Sequence, residues 1–102
     1  FLEQVNSYLI KNNIKDLSKE IIKKNKEIDM LVKVPSGLGH LDFFLKAKDK
    51  KRISDADLSL AYHKGQSHKI PVLFLSTGNL TKKAAAYLEK NLKGYLVFKK
   101  IE

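Results

Sequence analysis

Apolar and polar residues alternate along the first third of the chain in a way that predicts one helix and two strands. Apolar residues recur at helical spacing from Phe1 to about Asn13, which indicates an amphipathic helix. Ser18 to Lys24 and Lys26 to Val34 have the character of strands, and Asn25 with Lys26 is expected to turn the chain between them. In the second strand the apolar residues occupy every other position, as in a strand with one buried face: Ile28, Met30, Val32 and Val34.

The clearest turn signal in the chain is the segment Pro35-Ser36-Gly37-Leu38-Gly39. A third strand is predicted after it, roughly from His40 to Lys48. Strands that are joined by so short a segment pair antiparallel, and the length of this segment favours a hairpin loop of more than two residues.

The second half of the chain predicts two further units of helix and strand. Ser54 and Asp57 have the spacing of a capping box, so a helix should begin there and run to about Gln66. A strand is predicted from Ile70 to Leu75, and a last strand from Tyr95 to Ile101. Between them we expect a helix from Leu80 to Leu92, capped by Asn79 or Thr81.

The order helix, three strands, helix, strand, helix, strand predicts an α/β fold with a mixed sheet. The first three strands can form a meander, whereas strands that are joined through helices must lie parallel. At 102 residues, 43% of them hydrophobic, the chain has room for one domain with one core. Because it begins at Phe1, inside a predicted helix, we expect residues 1–102 to be a single domain taken from a longer protein. The other domains of that protein, or a second copy of this chain, are candidate partners.

Charge changes this picture more than any other property of the composition. The chain has 20 Lys plus Arg against 11 Asp plus Glu, a formal net charge of +9. A domain this basic is attracted to polyanions, so nucleic acid is the leading candidate partner. An acidic protein partner, or solubility alone, remains an alternative. All the cations except Arg52 are lysines, which suit contacts to phosphate better than the reading of base edges.

Several classes of protein are disfavoured by the composition. There is no Cys, which excludes disulfides, Cys-ligated zinc and thiol catalysis, and which is compatible with a cytoplasmic location. The three His residues match no zinc-binding spacing. No apolar run approaches the roughly 20 residues that span a membrane, so we expect no membrane partner.

Two short segments carry side chains that are able to act together. One is Glu27-Ile28-Asp29 in the second strand, and the other is Lys46-Ala47-Lys48 at the end of the third. Because side chains alternate along a strand, Lys46 and Lys48 share a face. If the hairpin brings Asp29 beside Lys48, a carboxylate and an ammonium group lie together at the sheet edge. A basic run follows and is a candidate for phosphate contacts: Lys50, Lys51 and Arg52.

This arrangement resembles the PD-(D/E)xK superfamily of restriction-endonuclease-like nucleases, and within it the Mrr-type and archaeal members. The resemblance implies a restriction-endonuclease-like fold in which Asp29, within Glu27 to Val32, is the acidic residue of the second strand. It implies Lys48 as the catalytic lysine and Glu3 as the glutamate of the first helix. The stretch from Ile70 to Ala84 is also similar to the fourth strand and following helix of Mrr-type proteins.

The chemistry of this superfamily implies a divalent metal ion as cofactor. Mg²⁺ held by carboxylates polarises the scissile phosphate and activates a water molecule, which a nearby lysine orients. The resemblance therefore implies Asp29 as a metal ligand and nucleic acid, DNA in the first instance, as the substrate. Nucleases of this kind often carry Gln or Tyr on the helix after the lysine strand. Gln66, four residues after Tyr62, is the candidate for such a contact with nucleic acid.

The sequence departs from the superfamily pattern at Lys46. The position two residues before the catalytic lysine is normally Glu, Asp or Gln. A cation there repels a metal ion by about 1 to several kcal/mol, depending on the local dielectric, and Glu3, Glu27 or Asp42 would have to supply the missing oxygen. Lys46 and Lys48 on one face are suited to hold a phosphate without metal. Three functions stay open: a metal-dependent nuclease, an inactive nuclease fold that binds nucleic acid, and a domain that binds an acidic protein.

Overall fold

The computed structural model describes residues 1–24 and 26–101. The first half of the chain forms one helix and three strands: α1 (Leu2–Lys11), β1 (Lys15–Lys23), β2 (Glu27–Ser36) and β3 (Gly39–Lys48). These are the four elements that the apolar pattern predicts, in the predicted order. The turn predicted at Asn25 and Lys26 falls partly on a residue outside the described ranges.

The second half alternates helices with strands: β4 (Arg52–Ile53), α2 (Asp55–Ser67), β5 (Val72–Ser76), β6 (Asn79–Leu80), α3 (Lys82–Tyr87), a π-helical turn (Leu88–Leu92) and β7 (Leu96–Lys100). The helix predicted from Leu80 to Leu92 is therefore shorter, with Thr81 as its cap, and it ends in π-helical geometry. β4 and β6 were not predicted, because two residues are too few for a periodic signal. None of the helices in the described ranges is long and apolar enough to cross a membrane.

Five strands form the main sheet in the order β1-β2-β3-β5-β7. β1, β2 and β3 are antiparallel neighbours, whereas β3, β5 and β7 run parallel to one another. Helix α2 connects β3 to β5, and α3 with its π-helical turn connects β5 to β7. The predicted mixed sheet, with parallel strands joined through helices, is confirmed.

The alternation of side chains in β2 and β3 divides the core into two layers. On one face of the sheet, Val5 and Leu9 of α1 pack with apolar residues of the strands such as Met30. Asp29 and Lys46 point the other way, towards the layer that contains α2 and α3. The buried apolar residues of that second layer are Phe44, Ile53, Leu58, Ala61, Val72, Phe74, Ala84, Leu92 and Leu96.

The hairpin between β2 and β3 is tighter than predicted. Ser36 pairs with Gly39, so only Gly37 and Leu38 lie in the loop, and the expectation of a longer loop is wrong. The side-chain oxygen of Ser36 closes the turn, because it accepts a hydrogen bond from the N–H of Leu38 at 3.1 Å and donates one to the carbonyl of Gly39 at 2.6 Å. Gly39 has a φ of 109°, which glycine adopts without steric cost.

β4 and β6 form a separate parallel pair that continues from the ends of β3 and β5. The backbones approach closely here, since a Cβ atom on Gly78 would lie 1.9 Å from the carbonyl oxygen of Lys50. The N–H of Gly78 donates to Ser76 Oγ at 3.0 Å, and the N–H of Asn79 donates to the carbonyl of Lys51 at 3.0 Å. This contact fixes the basic run after β3 beside the segment that leads into α3.

Candidate functional site

Two carboxylates of β2 face two ammonium groups of β3 across the hairpin. In the register of these strands Asp29 is directly opposite Lys46, and Glu27 is directly opposite Lys48. Residues that pair directly in an antiparallel sheet project from the same face, so all four side chains lie on the α2 side. The predicted placement of Asp29 and Lys48 on one face is confirmed, although the direct partner of Asp29 is Lys46.

Lys46 lies at the centre of this group. Its Nζ donates a hydrogen bond to Glu27 Oε2 and lies 2.7 Å from Asp29 Oδ1. Lys46 is 9% exposed and Asp29 is 4% exposed, so water and salt screen their attraction only weakly. The positive charge of Lys46 is therefore compensated inside the protein, where the sequence had indicated a phosphate contact.

Helix α2 supplies a second cation for Asp29. Lys64 Nζ donates to Asp29 Oδ2 at 2.5 Å, and it also lies 5.6 Å from the centroid of the Phe44 ring. The hydrogen bond to Asp29 raises the pKa of Lys64, against the opposing effect of burial. Among the described residues, no donor makes a well-aligned hydrogen bond to Asp29 Oδ1, and the ammonium group of Lys46 is its contact.

Asp57 joins the N-terminus of α2 to the same group of charges. It completes the predicted capping box: the N–H of Asp57 donates to Ser54 Oγ at 3.2 Å, and Asp57 Oδ2 accepts from the N–H of Ser54 at 2.9 Å. Asp57 also accepts from Lys48 at 2.9 Å and from Lys50 at 2.7 Å. Burial raises the pKa of Asp57, but the hydrogen bonds from Lys50, Ser54 and Lys48 outweigh burial and hold this pKa well below its usual range.

Seven charged side chains thus form one connected array, which we call the charged cluster. In order of contact its members are Lys64, Asp29, Lys46, Glu27, Lys48, Asp57 and Lys50. Positive and negative groups alternate along it, and every carboxylate contacts two ammonium groups. The longest link is the 3.7 Å between Lys48 Nζ and Glu27 Oε1. Four ammonium groups against three carboxylates leave the array with a single surplus positive charge.

The charged cluster does not fit a divalent metal ion as it is arranged here. Mg²⁺ needs oxygen ligands that converge on one point, and in the part of the chain that the structure describes no three His, Asp or Glu side chains are grouped in that way. Glu27 and Asp29 do converge, but the ammonium group of Lys46 lies between them. Asp42, one of the candidates to supply the missing oxygen, pairs instead with Lys33 at 3.0 Å on the exposed part of the hairpin.

Two of the predicted site residues lie away from the charged cluster. Glu3 is an exposed residue of α1, the helix that packs on the opposite face of the sheet. Gln66 is exposed near the end of α2, where it lines a cleft with Lys69 and Tyr95. The structure therefore brings neither Glu3 nor Gln66 to the charged cluster.

The predicted basic run is divided between two places. Lys50 belongs to the charged cluster, whereas Lys51 and Arg52 are exposed in an open cleft of about 460 Å³ beside β4, β6 and the start of α3. We call it the basic cleft, and its lining residues are Lys51, Arg52, Asn79, Leu80, Thr81 and Lys82. Within residues 1–24 and 26–101, no carboxylate oxygen lies within 4 Å of the charged groups of Lys51, Arg52 or Lys82.

The sequence did not identify Lys64 as a partner of Asp29, and it did not reveal that Asp57 also binds Lys48 and Lys50. Lys64 meets Asp29 across 35 positions of sequence, and only the packing of α2 on the sheet brings the two together. No local pattern signals that contact. Asp57 did have a signal, since a capping-box carboxylate that follows a run of cations is well placed to bind one of them. Lys82 was not singled out either, because β4 and β6, which form the cleft around it, are too short to predict.

The order of the strands, the mixed sheet and the helical layers on its two faces define an α/β fold with a five-stranded mixed sheet. The structure of EndoMS in its apo form shares this fold, with a TM-score of 0.63 over 98% of this chain and 45% of EndoMS, at 18% sequence identity. EndoMS is a nuclease of the PD-(D/E)xK type, so the resemblance seen in the sequence is supported at the level of the fold. The chain spans less than half the length of EndoMS. A comparison with models of known protein families gave no match, and neither did a comparison with curated proteins.

Proposed function

We propose that this domain binds the phosphate backbone of nucleic acid, duplex DNA above all, through the basic cleft and without a divalent metal ion. The observation that carries the proposal is the separation of the cations near the ends of β3 and β5 into two groups. The lysines of the charged cluster are compensated by carboxylates, whereas the cations of the basic cleft are exposed and have no such partner among the described residues. The nuclease-like fold is consistent with nucleic acid as the ligand.

The basic cleft has the chemistry of a surface that binds phosphate groups. Lys51 and Lys82 offer point charges, and Arg52 is able to donate two parallel hydrogen bonds to one phosphate. Lys100 donates to Asn79 Oδ1 at 3.2 Å, which brings a fourth cation to the rim of the cleft. Contacts of this kind fix a protein on the backbone and depend strongly on salt, but they carry little sequence information.

The test is the salt dependence of DNA affinity, measured by fluorescence anisotropy with a labelled duplex in EDTA and again in Mg²⁺. The double variant Lys51→Gln/Lys82→Gln should flatten the plot of log K against log salt by up to about 1.8, since each lost phosphate contact contributes about 0.9. The matched control is Lys69→Gln/Lys90→Gln, which removes the same charge from exposed positions that do not line the cleft.

We expect no gain of affinity in Mg²⁺ over EDTA, since Mg²⁺ only competes with the lysines for phosphate groups, and we expect a smaller salt slope only in the cleft variant. Equal flattening in both double variants would show that net charge, and not the cleft, holds the DNA. A parallel titration with polyglutamate tests the alternative partner. Binding to polyglutamate that is tighter than binding to DNA would reject the proposal in favour of a domain that binds acidic proteins.

Metal-dependent hydrolysis of phosphodiester bonds is the second candidate function. The observation in its favour is that the carboxylates of Glu27 and Asp29 converge on a single cation in a fold shared with EndoMS. In that case Lys48, which contacts both Glu27 and Asp57, would be the lysine beside the reacting phosphate. Cleavage of a plasmid in Mn²⁺ by the unmodified domain, abolished by Asp29→Asn in a variant whose circular dichroism spectrum shows that it remains folded, would establish this function. We expect no cleavage, because Lys46 occupies the place of the metal.

A further inference from the structure

We propose that Lys46 is the permanent cation of the Glu27–Asp29 pair, and that this pair is a latent site for a divalent cation which opens when Lys46 is replaced. The unmodified domain would then have no need of a metal ion to hold its two carboxylates together. Metal binding by these carboxylates does not depend on DNA binding by the basic cleft, so the two proposals are tested separately.

The first support is the position of the ammonium group. Lys46 Nζ contacts one oxygen of Glu27 and one oxygen of Asp29, and the side-chain exposure of the three residues is only 11%, 15% and 5%. Two carboxylates at such a buried point repel each other unless a positive charge lies between them. In this protein a side chain supplies that charge, as a bound metal ion would in a metalloenzyme.

The second support comes from the oxygen Oδ1 of Asp29. Asp29 is almost completely buried, and within the described ranges this oxygen has no hydrogen-bond donor in good alignment, only the ammonium group of Lys46 at 2.7 Å. Buried carboxylate oxygens normally accept well-formed hydrogen bonds. The described partner of this oxygen is therefore the charge of Lys46, and replacement of Lys46 leaves the oxygen free to bind another cation.

The third support is the number of ligands. With Lys46 in place only two carboxylates converge, and the described residues contain no group of three metal-binding side chains. Mg²⁺ and Mn²⁺ bind through a few carboxylates and retain several water molecules. The substitution Lys46→Glu therefore makes two changes at once, because it removes the resident cation and adds a third carboxylate at the same point.

The experiment is thermal unfolding of the full chain in EDTA and in Mn²⁺, with Mg²⁺ as a second probe. The unmodified protein should show a shift in Tm of less than about 1 °C. Lys46→Glu should have a lower Tm than the unmodified protein in EDTA, because three like charges then meet in a buried place. Saturating Mn²⁺ should raise its Tm by roughly 5–10 °C, as expected for a ligand that binds the folded state only.

Lys33→Glu is the matched control, since Lys33 forms the other lysine–aspartate pair of the same hairpin, with Asp42, but at an exposed place with a single carboxylate. It should show no response to Mn²⁺. Lys46→Gln is the second variant, because it removes the cation without adding charge, and it should respond to Mn²⁺ more weakly than Lys46→Glu. Adding Asp29→Asn to Lys46→Glu should abolish the response.

Two results would overturn the proposal. One is a rise in Tm of the unmodified protein with Mn²⁺ as large as that of Lys46→Glu, since Lys46 would then not exclude the metal. The other is the failure of both Lys46 variants to gain stability or structure when Mn²⁺ is added, including the case in which they are unfolded in EDTA. A loss of DNA binding by the cleft variants would leave these outcomes unchanged.

Discussion

Lys46 and Lys51 lie only five positions apart in the chain, yet they belong to two regions with opposite electrostatic roles. In the charged cluster Lys46 is buried between two carboxylates, and each neighbouring charge along the array is compensated in turn. In the basic cleft Lys51 is exposed beside Arg52 and Lys82, and no described carboxylate lies within ion-pair distance of them. The cations of the first region are paired within the protein, whereas those of the second are available to a ligand.

The difference shows that the number of lysines in a sequence is a poor measure of the cations that a partner meets. Four of the lysines lie in an array whose surplus is a single charge, so they add little to the field outside the protein. Long-range attraction of a polyanion depends on the cations that remain exposed and unpaired. Four predictions test whether the two regions are as different as this comparison requires.

The largest effect is expected from Asp29→Ala in the charged cluster. The substitution leaves Lys46 and Lys64 without their shared carboxylate, and removal of one partner from a buried ion pair typically costs about 3–5 kcal/mol of unfolding free energy. Urea denaturation provides the measurement. Asp42→Ala, at the exposed pair with Lys33, is the control and should change stability by no more than about 0.5 kcal/mol. Equal losses of unfolding free energy in Asp29→Ala and Asp42→Ala would show that the charged cluster is not a buried network.

The next largest effect is expected from Gly78→Ala, which tests the close backbone contact beside the basic cleft. The added Cβ would lie 1.9 Å from the carbonyl oxygen of Lys50 and 2.4 Å from that of Lys51, and neither backbone atom is able to rotate away. We expect a loss of about 3 kcal/mol, at the upper end of typical overpacking, together with weaker DNA binding. Gly37→Ala provides the comparison, since nothing lies within 4 Å of a Cβ at that position. A stable Gly78→Ala variant would contradict the close approach of β4 and β6.

A smaller, pH-dependent effect is expected at Asp57, which accepts hydrogen bonds from Lys48 and Lys50 in the charged cluster. The folded-state pKa of Asp57 is lowered, so its contribution to stability is complete above the unfolded value of about 4 and is lost as the pH falls below it. Asp57→Asn should cost about 2 kcal/mol near neutral pH, as is common for hydrogen bonds to a charged group. The cost should shrink steadily in denaturation curves taken at decreasing pH below 4. A cost that is independent of pH would mean that the charge of Asp57 is unimportant.

The smallest effect on stability is expected in the basic cleft itself. Lys51→Gln/Lys82→Gln removes two exposed cations without described ion-pair partners, and exposed substitutions of this kind usually change stability by less than about 0.5 kcal/mol. Denaturation should therefore be unchanged in the same variant whose DNA affinity falls. A marked loss of stability would show that these cations support the fold, and the contrast between the two regions would fail.

The sequence predicts most of the fold because the signals are local. β2 shows the alternation of a strand with one buried face, and the strands beyond α2 and α3 must run parallel because helices join them. The pairing of Asp29 with Lys46 could not be predicted from the sequence, because the register of a hairpin depends on the geometry of its turn. The segment Pro35 to Gly39 does not specify that geometry. The contact of Lys64 with Asp29 could not be predicted either, since it arises from the packing of a helix on a sheet.

The position of Lys46 has a consequence for how this domain depends on its surroundings. A metal ion has a dissociation constant, so its site empties when the ion is scarce or when a chelator competes for it. An ammonium group that is covalently attached to the chain has no such constant and cannot be diluted away. The carboxylates of Glu27 and Asp29 are therefore neutralised from the moment the protein folds, at every concentration of Mg²⁺ and Mn²⁺ that it meets.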